Sequence, residues 1–131
     1  MNRKILFRGK RKDNGEFIYG NLFIPDKPDT PTQICIGTNV VRITYDVVPE
    51  TVGQYTGLTD KNGKKIFEGD ILKFIDSDCE GIYLKVVFKD CAFLLDDNGI
   101  IPENLLPSYS WLGLEVIGNI HDNPDLLEVG I

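Results

Sequence analysis

Apolar residues recur at every second position over short stretches of this chain, and each stretch stops at a turn signal. Ile5 and Phe7 share one parity while Lys4, Arg8 and Lys10 share the other, the pattern of a strand over 5–11. Leu6 interrupts the alternation, which reads as partial cover on both faces. Lys12-Asp13-Asn14-Gly15 follows, and Asn-Gly suits the positive φ angles of a tight hairpin turn into a second strand over 16–24. In that strand Phe17, Tyr19 and Phe23 share a parity, with Gly20 marking a bulge or bend. Three prolines within 25–31 cannot continue a ladder, so that stretch is a loop. Strands are expected over 33–36 and 40–48, the latter β-branched and aromatic. Pro49-Glu50-Thr51 starts either a helical turn or a turn into the next strand.

The second half repeats the pattern. A glycine-punctuated strand over 52–58 leads to Asp60-Lys61-Asn62-Gly63, a second Asn-Gly turn, and a short edge strand over 65–67. Glu68-Gly69-Asp70 opens an apolar strand over 71–75, a frequent entry into small SH3-like barrels. Strands are expected over 82–88 and 91–95, then a third Asn-Gly turn at Asn98-Gly99 and a last strand over 114–120. Asn119 or Asp122 caps a brief helical turn near Pro124. No segment sustains a 3.6-residue apolar period. The fold class is therefore all-β with little helix: an N-terminal β-hairpin or sheet, and a small SH3-like barrel in the C-terminal part. The 131 residues form one unit, with sub-parts over 1–48 and 49–131.

Charge changes the picture at one end. Residues 1–12 carry six Lys and Arg and no acid, whereas 13–131 carry eight against twenty Asp and Glu. The candidate binding surface is therefore Arg8, Lys10 and Lys12, a solvent-facing stripe opposite Phe7, with Tyr19 beside it. The net charge of −6 argues against a general nucleic-acid coat, whose affinity comes from neutralising phosphates. Three cysteines with no C-x-x-C pair suit a reducing compartment. The first apolar run is three residues long, too short for a signal peptide, and no run approaches the ~18 residues of a membrane span. The expected location is the cytoplasm.

Candidate chemistry is thin. Asp76, Asp78, Glu80 and Gly81 imitate the start of a calcium loop, but Val87 stands where a bidentate Glu must close it. His121 is the only histidine and sits among Asn119, Asp122, Asn123 and Pro124, a turn context. Glu50, Glu68 and Asp70 are the carboxylates open to acid–base work, against a turn role for Glu-Gly-Asp. No nucleophile elbow, Walker loop or dinucleotide fingerprint occurs, so no cofactor and no metal is expected. Phe7, Phe17, Tyr19, Tyr45, Tyr55 and Trp111 serve as core or as a stacking groove, and only the basic hairpin combines rings with cations.

Three blocks carry a resemblance. Phe7-Arg8-Gly9-Lys10-Arg11 with Asp13-Asn14-Gly15-Glu16-Phe17-Ile18-Tyr19-Gly20 resembles the opening of the YopX family of bacteriophage and prophage proteins. The stretch from Pro49 to Leu58, with Asp60-Lys61-Asn62-Gly63-Lys64 and Glu68-Gly69-Asp70-Ile71, is similar to its central signature. Leu114-Glu115-Val116-Ile117-Gly118-Asn119-Ile120-His121 resembles its closing segment. The resemblance implies a mostly β protein with an SH3-like barrel in its C-terminal part, and it brings no catalytic residue. The expected function is non-catalytic binding to a host or phage protein, with self-association compatible. A nucleic-acid accessory role for the basic hairpin competes with it, and a carboxylate enzyme stands behind both.

Overall fold

The computed structural model describes residues 4–37, 40–74, 83–96, 104–105 and 113–128. Strand dominates, and the helical pieces among these residues are two 3-10 turns, Pro49–Thr51 and Pro124–Glu128. No helix among them is long and apolar enough to cross a membrane. The chain divides into two compact units, 1–55 and 56–131. The division falls after Tyr55 rather than after Val48 because Gly53 and Gln54 pair with the first strand.

The first unit holds β1 (Phe7–Lys10), β2 (Phe17–Phe23), β3 (Gln33–Gly37), β4 (Arg42–Asp46) and the start of β5 (Gly53–Thr59). The order is β4-β3-β2-β1-β5, each neighbour antiparallel. The end of β4 returns to β1: the Lys12 amide donates to the Asp46 carbonyl at 2.9 Å, and the Val48 amide to that of Lys10 at 2.9 Å. The register puts Ile18, Gly20, Leu22, Ile34, Ile36, Ile43, Tyr45 and Val47 on one face with Phe7 and Gly9. Ile34 and Val47 are its buried apolar centre. Gly20 is obligatory by close approach, since a Cβ there would lie 2.4 Å from the Cys35 carbonyl oxygen. Thr51, in the first 3-10 turn, locks the unit's far end. Its hydroxyl donates to the Val48 carbonyl at 2.6 Å and accepts from the Lys10 amide at 2.8 Å.

The hairpin loop from β1 to β2 is the four-residue stretch Lys12-Asp13-Asn14-Gly15 that the sequence sets between the two strands. The Arg11 amide donates to the Glu16 carbonyl and the Gly15 amide to the Arg11 carbonyl, both at 2.9 Å, which leaves four residues in the loop. Gly15 takes φ +72, while Asn14 accepts the Glu16 amide through its side chain. The primed two-residue turn occurs elsewhere, at Asp90 (φ +53) and Cys91 (φ +64), between the paired Lys89 and Ala92. Gly63 (φ +82) follows Asn62 in a turn, and Asn98-Gly99 lies outside the described residues.

The second unit holds the rest of β5, with β6 (Lys65–Phe67), β7 (Asp70–Phe74), β8 (Leu84–Lys89), β9 (Ala92–Asp96), β10 (Asn104–Leu105) and β11 (Leu114–Asn119). Its five-stranded antiparallel sheet runs β10-β9-β8-β7-β11. A bulge between Val116 and Gly118 shifts the β7–β11 register. One core forms where the inward parity of these strands meets β6: Ile66, Leu72, Leu84, Val86, Leu95, Leu114 and Val116, with Leu58 and Phe93 against it. The strand order brings the last strand beside β7, so this core closes only when distant segments of the chain have met.

Candidate functional site

The basic stripe does not form as expected. Arg8 is 5% exposed, a correction to its solvent-facing placement. The cause is strand order: β1 is an inner strand, with Arg8 opposite Tyr19 on one side and Gly53 on the other. Its guanidinium lies over the Phe17 ring, 4.5 Å from the centroid. Lys10, opposite Phe17 and half-buried, sets its ammonium 5.4 Å from the same ring. The two cations thus share one ring, an arrangement that holds them on the hairpin. Lys12 is exposed, but it follows the end of β1 and stands in the turn, so the period of two stops before it. Tyr19 is exposed on the face of Arg8 and Lys10.

Arg11 was not singled out in the sequence, yet it organises the loop. It grips Asp13 with two parallel bonds, Nε to Oδ1 at 2.9 Å and Nη2 to Oδ2 at 2.6 Å, and lies 4.4 Å over the Tyr45 ring. The Asp13 bond raises the Arg11 pKa, and the Arg11 bond lowers that of Asp13. The Arg-x-Asp spacing before Asn-Gly was the available signal. Beside this loop a cleft of about 420 Å³ is lined by Lys12, Asp13, Thr44, Tyr45 and Asp46.

Of the candidate carboxylates, Asp70 goes to turn chemistry. Asp70 is 2% exposed and accepts the Phe67 amide at 2.8 Å across the Glu68-Gly69 turn. Glu50 belongs to the first unit, Glu68 and Asp70 to the second. The unexpected buried carboxylate is Asp60. Its Oδ1 accepts the Asn62 amide at 2.8 Å and that of Lys64 at 2.9 Å, while Oδ2 accepts the Val116 amide at 3.0 Å. Burial pushes its pKa up, but the amides of Val116, Lys64 and Asn62 and the Lys64 charge outweigh this and hold it below the ordinary value. The first residue of an Asp-x-Asn-Gly turn was legible as its source. Its reach to β11 was not. His121 stands in a turn, its amide donating to Asn119 Oδ1 at 3.0 Å. The acidic loop at Asp76–Glu80 and Trp111 lie outside the described residues.

What the hairpin and its sheet do present is apolar surface. Tyr19, Asn21 and Phe23 alternate onto one exposed face of β2, and Ile24, just past the strand's end, is exposed as well. A second exposed apolar group, Ile36, Val40, Val41 and Ile43, gathers where β3 meets β4.

These features define a class: a two-unit, antiparallel all-β protein whose exposed large apolar side chains, among the described residues, lie mostly on the first unit. The profile of the YopX protein family matches residues 6–128, and the chain belongs to that family. No curated protein matches it. Among solved structures it is similar to the crystal structure of protein EF1440 from Enterococcus faecalis, with 24% identity and a TM-score of 0.61. That likeness covers 95% of this chain and 98% of the other, and it is a likeness of fold.

Proposed function

We propose that the protein is a non-catalytic binding module that engages a host or phage protein in the bacterial cytoplasm. The observation that carries this reading is the outer face of β2, where Tyr19 and Phe23 stand exposed with Asn21 between them and Ile24 beyond. Exposed rings gathered on one rigid strand are the material of protein contacts, and charged neighbours frame them. The partner presents an apolar contact set to this row. The chain carries −6, and residues 56–131 alone hold fourteen Asp and Glu against six Lys and Arg. A single-sign field of this kind steers a basic partner inward. The β7–β8–β9 meander with β11 beside β7 supports reading the second unit as an SH3-like barrel.

Nucleic-acid binding by the hairpin is the second reading, favoured by the shared face of Arg8, Lys10, Phe17 and Tyr19. It ranks lower because both cations already cap the Phe17 ring, leaving Tyr19 as the exposed stacking face. The test is retention of proteins from a bacterial lysate by the full chain and by a Tyr19→Ser, Phe23→Ser variant. The expected result is a protein that the wild type holds, that rising salt releases, and that the variant loses. Equal retention by both chains overturns the reading. Micromolar, salt-dependent binding of labelled DNA or RNA that Lys10→Ala and Lys12→Ala abolish puts the second reading in its place.

A further inference from the structure

β4 ends the strand order of the first unit; its outer edge is covered by Lys10–Lys12 from Asp46 onward, and no strand among the described residues pairs with it over Arg42–Thr44. It has no proline and no bulge, and its charged residues sit at its two ends, Arg42 and Asp46. The direction of its backbone groups follows from two bonds. The Val47 amide donates inward to the Thr32 carbonyl at 3.0 Å, and the Asp46 carbonyl accepts outward from Lys12. Alternation then turns Ile43 and Tyr45 inward to β3, and Arg42 and Thr44 outward. Both outward residues are exposed. So are the side chains that flank them: Ile43 is 53% exposed and Val40 91%.

We infer that this edge pairs with the same edge of a second copy of the chain, as an antiparallel two-fold ladder with Ile43 opposite Ile43. Three registers would pair β4 with itself through the body of the strand. Centring on Arg42 sets two guanidinium groups against each other. Centring on Thr44 brings Asp46 into the ladder, where the Lys12 amide already occupies its outer side. Centring on Ile43 avoids both problems. Arg42 then exchanges both backbone bonds with Thr44 of the other copy, and the reverse pair does the same. Ile43 meets its own image at the close, non-hydrogen-bonded position. Val41 comes opposite Tyr45, so apolar groups face apolar groups on one side of the joined sheet. In this register the Val40–Val41 end of each copy arrives at the notch lined by Lys12, Asp13, Thr44, Tyr45 and Asp46 of the other. A closed two-fold contact of this kind is self-complementary and stops at two copies. The ladder is short, so association on the order of tens of micromolar is expected.

Sedimentation equilibrium of the full chain from roughly 1 μM to 1 mM tests this, since such an affinity spans monomer to dimer over that range. Ile43→Glu places two carboxylates at the axis and should weaken the dimer at least tenfold. Thr44→Pro deletes only an outward amide, so it should do the same while leaving the β3–β4 pairing and the melting curve in place. Oxidised Ile43→Cys should yield a 43–43 disulfide in peptide maps, and Thr44→Cys should yield no 44–44 disulfide, because residue 44 faces residue 42 of the other copy. A monomer at all concentrations overturns the inference. So does a dimer indifferent to both Ile43→Glu and Thr44→Pro, or one that cross-links through 44–44. The partner-binding row on β2 is a different surface, so loss of either result leaves the other standing.

Discussion

The two units of this protein divide the work of its apolar residues. Of eleven buried hydrophobic side chains among the described residues, nine belong to the second unit, and Ile34 and Val47 alone to the first. Of nine exposed large apolar side chains, eight belong to the first unit, and Phe88 alone to the second. Charge divides as well. Residues 1–55 hold eight Lys and Arg against six acids, a net +2, while 56–131 carry −8. Similar antiparallel strands thus serve two ends: one set closes a core, and the other holds a surface open. Among the described residues, buried apolar side chains and exposed ones are thus encoded largely in different stretches of one chain.

The sharpest attack on that division is a pair of truncations. Leu72→Ala empties the middle of the second unit's core and should cost about 4 kcal/mol, whereas Ile36→Ala on the first unit's surface should stay within about 0.5 kcal/mol. Urea unfolding of both variants measures the contrast, and equal losses would dissolve it. Next in size is Asp60→Ala, which strips three amides of their acceptor and should cost about 3 kcal/mol at pH 7. The sign of its pH dependence follows from a folded pKa below the ordinary value. The ionisation-linked part of the contribution is complete above the ordinary carboxylate range and is lost as pH falls through the lowered folded value, so the gap between wild type and variant should narrow as pH falls below about 4. A gap that stays constant down to pH 2 would contradict this. The smallest effect should have the opposite sign. Cys91→Gly relieves a side chain held at φ +64, and should raise stability by about 0.5 kcal/mol in thermal melts, net of glycine's entropy.

Parity was legible in the sequence, and cover was not. The alternation of Phe7 against Arg8 and Lys10 gives the two faces of β1 correctly. It carries no information on which strands flank β1, so the burial of Arg8 between Tyr19 and Gly53 could not be read. The short edge strand at 65–67 and the turn at Asn62-Gly63 were visible because both are local. The turn after β8 was read at Lys89-Asp90, one residue early; its primed form at Asp90-Cys91 was not legible because neither residue is glycine or asparagine, and the sheet on either side imposes it. Tyr19 was left open between core and a stacking groove, and it stands exposed. The exposed group at Ile36 and Ile43 looks like core in sequence, since β-branched residues in a strand give no hint that one of their faces stays open.

The bond from the Val116 amide to Asp60 has a further meaning when the chain is seen as a product of translation. Its ends lie 56 residues apart. At bacterial and eukaryotic elongation speeds, roughly 3–11 s separate the synthesis of one from the other. Throughout that interval Asp60 has only its two near amides, Asn62 and Lys64, to hold its charge. The neighbouring Lys61 amide waits as long for the Leu114 carbonyl. The nascent second unit is therefore a sheet with one side unfinished, its Leu72 row uncovered until β11 emerges. The five-stranded sheet of the second unit is complete only once β11 has been made, in whatever order its other strands pair.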